Sequence, residues 1–490
     1  MNFDFQPPLY SLASQYFVST KRVSRHVTEV SRYGILVGDF FSVLNGVEFL
    51  SKKAFIGVYG CQMNIADAER MEGVLKTLGY NRVNEMQEAD LIILNTCCVR
   101  ETAEDKVYGK IGEIKHLKQQ NPRLIFGITG CMAQKEGEAL IKRAPHIDFV
   151  LGTGRVAELG NVVGQLEDEQ IQHFVDTTMD DAVEAASRMP VEREGTLSAW
   201  VPIMYGCNNF CTYCIVPYVR GRERSRRAEE ILSEVRDAAA KGYKEITLLG
   251  QNVNSYGNDQ EGFMSFAELL KAVDEVEGIE RVRYMTSHPK DLSDEVIEAV
   301  KNGRHICEHF HIPVQYGTDK LLKRMNRKYT VAQYKALVER IRSSVPNASI
   351  TTDLIVGFPG ETEEDFEGML DFLREIRYDA AYTFIYSPRT GTPAADMPDQ
   401  VPEEVKKDRL HKLMDVQNEI SLAINEKLVG SDTEVLVEGP SRTDKSVWTG
   451  RTRTSKIVLW PYEGNEQPGE LRRVHITQAQ TWLLKGKLAE

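Results

Sequence analysis

The stretch Val201-Pro202-Ile203-Met204-Tyr205-Gly206-Cys207-Asn208-Asn209-Phe210-Cys211-Thr212-Tyr213-Cys214 decides how the rest of the chain is read. A short apolar run, read as a strand over Trp200–Met204, gives way to a polar loop carrying three cysteines. Zinc sites usually draw on two separated pairs of ligands. A lone trio spaced by three and then two residues fits an iron–sulfur cluster with one iron left open to a small molecule. Three packed core cysteines are a poor explanation, because Gly206, Asn208, Asn209 and Thr212 make the segment loop-like. Beyond the loop, the strands Glu245–Leu249, Arg283–Thr286, His309–Val314, Ser349–Val356 and Ala381–Tyr386 alternate with amphipathic helices. One of these helices carries Ile231, Leu232, Val235 and Ala238 and is stopped by Gly242. Six such units predict a parallel sheet curled into a partial (βα)6 barrel over 199–428, with its chemistry at the carboxyl ends of the strands. The cysteine loop leaves the first of those strands and so stands at the active mouth.

Working back toward the amino terminus, three more cysteines share a setting. Cys61, Cys97 and Cys131 each follow a short apolar run, 55–60, 91–96 and 124–130, and each is followed by a helical pattern (67–78, 101–118 and 134–143). Strand, cysteine, helix therefore repeats three times over 53–165, as in an open parallel α/β sheet whose carboxyl strand ends share one edge. Three cysteines without a local motif would meet there. Cys98 and Cys307 lack this setting and read as small buried hydrophobes. An acidic connector over 166–198 reads as a linker, and residues 1–52 as an extension of uncertain order. After 429 the pattern turns to short strands, Thr433–Val437, Val447–Gly450, Lys456–Trp460 and Leu471–Ile476, predicting a small OB-like β-barrel to residue 490.

Composition is that of an ordinary globular chain: 42% hydrophobic and 27% charged residues exclude collagen-like and wholly disordered classes. With 60 basic against 72 acidic residues the net charge is −12, so nucleic acid can be held only by local basic clusters. Two lie near the cysteine loop: Arg220, Arg222, Arg224, Arg226 and Arg227, then Lys320, Lys323, Arg324, Arg327 and Lys328. Further basic residues, Arg451 among them, are interleaved with Trp448, Trp460 and Tyr462 in the terminal barrel, a mixture suited to RNA or simply to a solvated face. The apolar stretch 34–50 is too short and too charged to span a bilayer, and no cleavage site follows a basic start, so the expectation is a cytoplasmic protein without membrane contact.

The string from Val201 to Arg226 closely resembles the methylthiotransferase branch of the radical S-adenosylmethionine enzymes. Gly60-Cys61-Gln62-Met63-Asn64, Asn95-Thr96-Cys97-Cys98-Val99-Arg100-Glu101 and Gly130-Cys131-Met132-Ala133-Gln134 resemble that family's amino-terminal domain. Gly450-Arg451-Thr452 and Val474-His475-Ile476-Thr477-Gln478-Ala479 are similar to its carboxyl-terminal TRAM domain. The wording around Cys97 resembles the members acting on isopentenyladenosine in tRNA more than those acting on threonylcarbamoyladenosine or a ribosomal protein. One departure is Tyr316, where the family pattern has a small residue.

The resemblance implies two [4Fe–4S] clusters, one held by Cys207, Cys211 and Cys214 and binding S-adenosylmethionine, the other held by Cys61, Cys97 and Cys131. It implies S-adenosylmethionine contacts at Tyr213, at Gly250, Gln251 and Asn252, and at Gly357, Pro359, Gly360 and Glu361. It implies transfer of a methylthio group to carbon 2 of the adenine, where an unactivated C–H bond gives acid–base catalysis nothing to grip and radical chemistry is the available route. The expected partners are tRNA, contacted through Arg220, Arg222, Arg224, Arg324, Arg327 and Arg451, and a small flavodoxin- or ferredoxin-like electron carrier, with the chain acting as a monomer. A non-catalytic iron–sulfur RNA-binding or electron-carrying protein and a zinc-binding scaffold remain the competing classes.

Overall fold

The computed structural model describes residues 51–98, 101–179, 187–193, 195 and 197–489; the expected 1–52 extension lies, but for its last two residues, outside them. Six parallel strands form the amino-terminal sheet: β1 (Lys52–Tyr59), β2 (Tyr80–Arg82), β3 (Leu91–Thr96), β4 (Ile125–Gly130), β5 (Phe149–Leu151) and β6 (Phe174–Asp176), in the order β2-β1-β3-β4-β5-β6. Strand β3 is buried along its whole length because both faces are covered. Leu91 and Ile93 point into one apolar cluster, Ile92 and Leu94 into the other, the alternation that a sheet wrapped by helices requires. Each such side chain contributes roughly 1.5–3 kcal/mol by burial. The sheet runs past the expected boundary at residue 165, since β6 lies in the stretch read as linker and pairs with β5 through Phe149↔Phe174.

The central barrel contains β7 (Ser198–Pro202), β10 (Glu245–Leu249), β11 (Arg281–Tyr284), β12 (His309–His311), β13 (Ser349–Val356) and β14 (Ala380–Ile385), all parallel. A bridge from Val282 to Ile306 joins its two three-stranded halves. A short antiparallel pair, β8 (Met204–Tyr205) with β9 (Arg224–Ser225), closes the base of the cysteine loop. The outer helices start on capping boxes at Ser265–Glu268, Thr330–Gln333 and Thr362–Asp365, each satisfying two otherwise orphaned backbone N–H groups. Tyr316 is fully buried in the barrel core.

The strands β15 (Asp432–Pro440), β16 (Val447–Thr452), β17 (Ile457–Pro461), β18 (Leu471–Ala479) and β19 (Leu483–Leu488) close a small barrel around Val435, Val458, Trp460 and Val474. It seats on the amino-terminal ends of the central strands through its own basic residues. Arg453 holds Glu308 at 2.6–2.9 Å, and Lys456 holds Asp379 at 2.7 Å and Asn425 at 2.9 Å. In return Arg283 donates to the Thr452 carbonyl at 2.8 Å and to Ser455 Oγ at 2.9 Å.

Candidate functional site

The loop carrying Cys207, Cys211 and Cys214 is held shut by contacts made mostly by backbone. Gly206 sits at φ +79°, where a Cβ would overlap the Arg222 carbonyl, so only glycine lets the loop close. Its N–H donates to Gln251 Oε1 at 2.5 Å, and Cys207 N–H donates to the Gly221 carbonyl at 3.1 Å. Thr212 N–H donates to the Met325 carbonyl at 3.1 Å, and Asn326 Nδ2 to the Phe210 carbonyl at 2.8 Å. Phe210 itself takes φ +47°, local strain of the kind that surrounding structure must impose. Thr286 and Gln315, which just follow β11 and β12 at the same mouth, are also at positive φ.

The three thiols sense one another. Burial and then the charge of Cys211 push the Cys214 thiol up to about 12, and burial also raises Cys207. Such sulfurs stay protonated until a metal replaces the proton. Nitrogen donors are already aimed at two of them: Arg327 Nη1 lies 3.4 Å from Cys211 Sγ and Asn209 Nδ2 3.4 Å from Cys207 Sγ. Unpaired thiols with cationic and amide donors behind them fit anionic sulfur ligands. Among the described residues no three His, Cys, Asp or Glu side chains come close enough to share one ion. A four-iron cluster spreads its ligands more widely than a single ion with metal–sulfur bonds of about 2.3 Å.

The second set is assembled by sheet register. Tyr59 pairs with Thr96 and Thr96 with Gly130, so Cys97 and Cys131 leave neighbouring strands at one level and Cys61 follows one residue beyond. Close packing enforces this. Cys97 N–H donates to the Tyr59 carbonyl at 2.8 Å, and a Cβ on Gly60 would come 3.0 Å from Cys97 Cβ. Gly130, at φ +90°, has the Thr96 carbonyl where a Cβ would stand. The buried Asn64 accepts from Cys61 N–H at 3.2 Å and from its Sγ at 3.4 Å while bonding Asn95 at 3.0 Å. Cys61 thereby caps the helix Gln62–Thr77. Cys98, read as inert, packs with Cys131, Ile215 and Val219.

One short segment joins the two sets. After Cys214 the turn Val216–Val219 lies on Cys98 and Cys131, and Thr153 Oγ1 donates to the Val219 carbonyl at 2.6 Å. Arg220 then places Nη2 at 2.9 Å from Asp67 Oδ2 on the helix after Cys61. A hydrogen bond from Cys98 and the Arg220 charge hold the Cys131 thiol below its ordinary value, against burial. Nearby, Glu234 receives Arg70 at 3.0 Å, Arg226 at 2.9 Å and Arg193, a hub joining the sheet, the connector and the barrel. Burial pushes that carboxyl up, but Arg70, Arg226 and Arg193 hold it at about 2.

Inside the central barrel a cavity of about 370 Å³ runs from Gln62, beside Cys61, past Trp200, Met285, His311 and Tyr382 to Trp482 on the small barrel. Its wall is polar: Glu245 pairs with Arg283 at 2.6 Å, and both His309 and His311 bond Thr351 Oγ1, at 2.9 and 3.0 Å. Burial and then His311 bring the His309 imidazole down to about 3, so it is neutral. Tyr382 and Trp482, 57% and 58% exposed, offer aromatic faces on which a base can stack.

Several expected contacts are placed otherwise. Arg220 is 4% exposed and paired with Asp67, and Arg327 is 8% exposed against Cys211, so neither offers a phosphate contact. Glu361 is buried between Arg409, at 2.8 Å, and the Gly357 N–H, at 2.7 Å; it braces its own loop and has no arm left for a cofactor. Asn252 is likewise spent on Asp291, at 2.7 Å, and the His288 N–H, at 3.0 Å. Gly357 and Gly360 take positive φ where a Cβ would strike Lys406 or Asp399, the Pro359 carbonyl accepts from Arg324 at 3.1 Å, and Gly250 abuts Met204. Tyr213 packs on the barrel core beside Cys211 and Cys214, its phenol raised by burial and then by the Cys211 charge. Arg222 is exposed over the Phe210 ring at 4.4 Å. Arg224 donates to the Met179 carbonyl, while Arg324 and Arg451 pair with Asp399 and Glu438 and keep part of their surface in water. Arg473, Lys485 and Lys487 stand exposed on β18 and β19 without an ion pair among the described residues.

Residues 201–373 match the Radical SAM superfamily, 53–152 the Uncharacterized protein family UPF0004 and 426–489 the TRAM domain. The chain is 52% identical over 440 residues to a tRNA-2-methylthio-N(6)-dimethylallyladenosine synthase of Carboxydothermus hydrogenoformans, covering 89% of this chain and 99% of that one. Relatives of the same name from Moorella thermoacetica (50% identity, 90% and 99% covered) and Clostridium novyi (48%, 91% and 98%) are similar over as much. In fold the chain resembles the radical S-adenosylmethionine methyltransferase TsrM of Kitasatospora setae, with a TM-score of 0.53 at 12% identity, over 80% of this chain and 79% of that one.

Proposed function

The chain belongs to the family of tRNA-2-methylthio-N(6)-dimethylallyladenosine synthases, and on that premise we propose how its residues divide the work of methylthiolating carbon 2 of isopentenyladenosine beside the anticodon. It is a radical S-adenosylmethionine enzyme, using a [4Fe–4S] cluster and S-adenosylmethionine. The observation that carries the residue-level reading is the sheet register that brings Cys61, Cys97 and Cys131 to neighbouring strand ends, with Arg220, six residues after Cys214, reaching Asp67 beside them.

Cys207, Cys211 and Cys214 would hold the first cluster, and Cys61, Cys97 and Cys131 a second one. When bound, these groups would supply the electron that cleaves one S-adenosylmethionine to a hydrogen-abstracting radical and would present the sulfur that is transferred, with a second S-adenosylmethionine giving the methyl group. The protein's own part is placement. Gln251 fixes the loop through Gly206, and Arg327 steadies Cys211. The 370 Å³ cavity lies toward the amino-terminal ends of the strands, where Trp482 and Tyr382 would give an unpaired base of the tRNA faces to stack on. Arg222, Arg473, Lys485 and Lys487 would meet the tRNA backbone. A flavodoxin- or ferredoxin-like carrier would deliver electrons, and the chain would act as a cytoplasmic monomer; among the described residues no helix is long and apolar enough to cross a membrane. The relatives named above support this substrate over threonylcarbamoyladenosine or a ribosomal protein.

Mass spectrometry of tRNA nucleosides from a deletion strain tests the substrate: the 2-methylthio group of isopentenyladenosine disappears. Its persistence, with loss from another nucleoside, would select a different substrate. A Cys61/Cys97/Cys131 triple alanine variant given S-adenosylmethionine and dithionite tests the second cluster: 5′-deoxyadenosine still forms and methylthiolation stops.

A further inference from the structure

We propose that Arg220 is a positioning residue for the second cysteine set, a fixed positive charge anchored by Asp67 that raises the reduction potential of the cluster bound there. The inference rests on the reading that Cys61, Cys97 and Cys131 hold a cluster.

Four observations lead to it. Arg220 is almost fully buried, and taking a guanidinium out of water is worthwhile only with compensating charge nearby. Asp67 at 2.9 Å supplies one negative charge. Beyond Asp67, the groups whose negative charge would favour the guanidinium are the sulfurs of Cys131 and Cys61. The backbone leaves it little freedom, because the turn before it is packed on Cys98 and Cys131 and tied to Thr153. A cluster becomes more negative on reduction, so a nearby cation stabilises the reduced form, as net charge and sulfur hydrogen bonds do generally. Arg220 lies six residues after Cys214, so the loop that holds the first set also tunes the second.

The competing role is a plain latch between the barrel and the amino-terminal sheet. A latch changes stability when broken but does not move a potential in a direction set by charge. The test uses the full chain with Cys207, Cys211 and Cys214 replaced by alanine, so that one cluster remains, followed by redox titration monitored by electron paramagnetic resonance. Arg220→Met should leave the cluster at least tenfold less reduced at the parent's midpoint, which is about 59 mV for one electron. Arg220→Lys should keep the parent value, and Asp67→Asn should move it the opposite way. Midpoints unchanged in both Arg220→Met and Asp67→Asn would overturn the inference. If Arg220→Met cannot be loaded, Asp67→Asn decides by the same criterion. A parent that binds no iron would overturn the second-cluster reading itself and this inference with it.

Discussion

The two cysteine sets solve one problem in opposite ways. Cys207, Cys211 and Cys214 lie within eight residues and need a loop that closes on itself, which positive φ at Gly206 and Phe210 allows. Cys61, Cys97 and Cys131 span seventy-one residues and need no motif, only a sheet whose register brings Tyr59, Thr96 and Gly130 level. The first can be lost by a local change, the second by anything that shifts a strand. Each is backed by one buried arginine, Arg327 or Arg220, drawn from elsewhere in the fold.

The largest effect should come from the cysteines themselves. Replacing Cys207, Cys211 and Cys214 by alanine should abolish 5′-deoxyadenosine formation, and iron analysis should fall from about eight to about four per chain. An equal loss of both clusters from either triple variant would break the comparison by showing one cooperative site. Next, Glu234→Gln removes the carboxylate shared by Arg70, Arg193 and Arg226 and should destabilise the protein by roughly 3–5 kcal/mol in denaturant titration. The folded carboxyl sits at about 2 against 4.5 unfolded, so the hub's contribution is complete above pH 4.5 and drains away as the pH falls toward 2.

Smaller still, Gly130→Ala and Gly206→Ala should each lose about 1–3 kcal/mol to strain at positive φ. Each should weaken iron retention in its own set only, which sharpens the contrast between register and loop. Smallest, alanine at Arg473, Lys485 and Lys487 should leave both clusters and stability intact. It should flatten the dependence of log tRNA affinity on log salt by roughly 2–3, read by filter binding.

Much of this was legible in the chain. Glu245–Leu249 and Ser349–Val356 are strands with the boundaries their apolar, β-branched runs announce. What stayed hidden depends on distant partners. Arg220 and Arg327 read as phosphate contacts because a sequence counts charges but not their burial; their partners Asp67 and Cys211 lie 153 and 116 residues away. The strand Leu483–Leu488 escaped notice because Lys485, Gly486 and Lys487 hide its alternation, and β6 because acidic neighbours disguise it. The helix after Cys61 starts five residues early, at Gln62, since the cysteine and Asn64 cap it together.

The seating of the small barrel carries a last implication. Arg453, Lys456 and Arg283 bolt it to the foot of the central strands, with Trp482 at the rim of the cavity. On the proposed reading, RNA gripped at Arg473, Lys485 and Lys487 is held at the opposite end of the barrel from the cysteine mouth, and the length of that barrel acts as a caliper. A stem whose loop is too long or too short would then bring the wrong base to the mouth, so position along the RNA would be measured as well as identity.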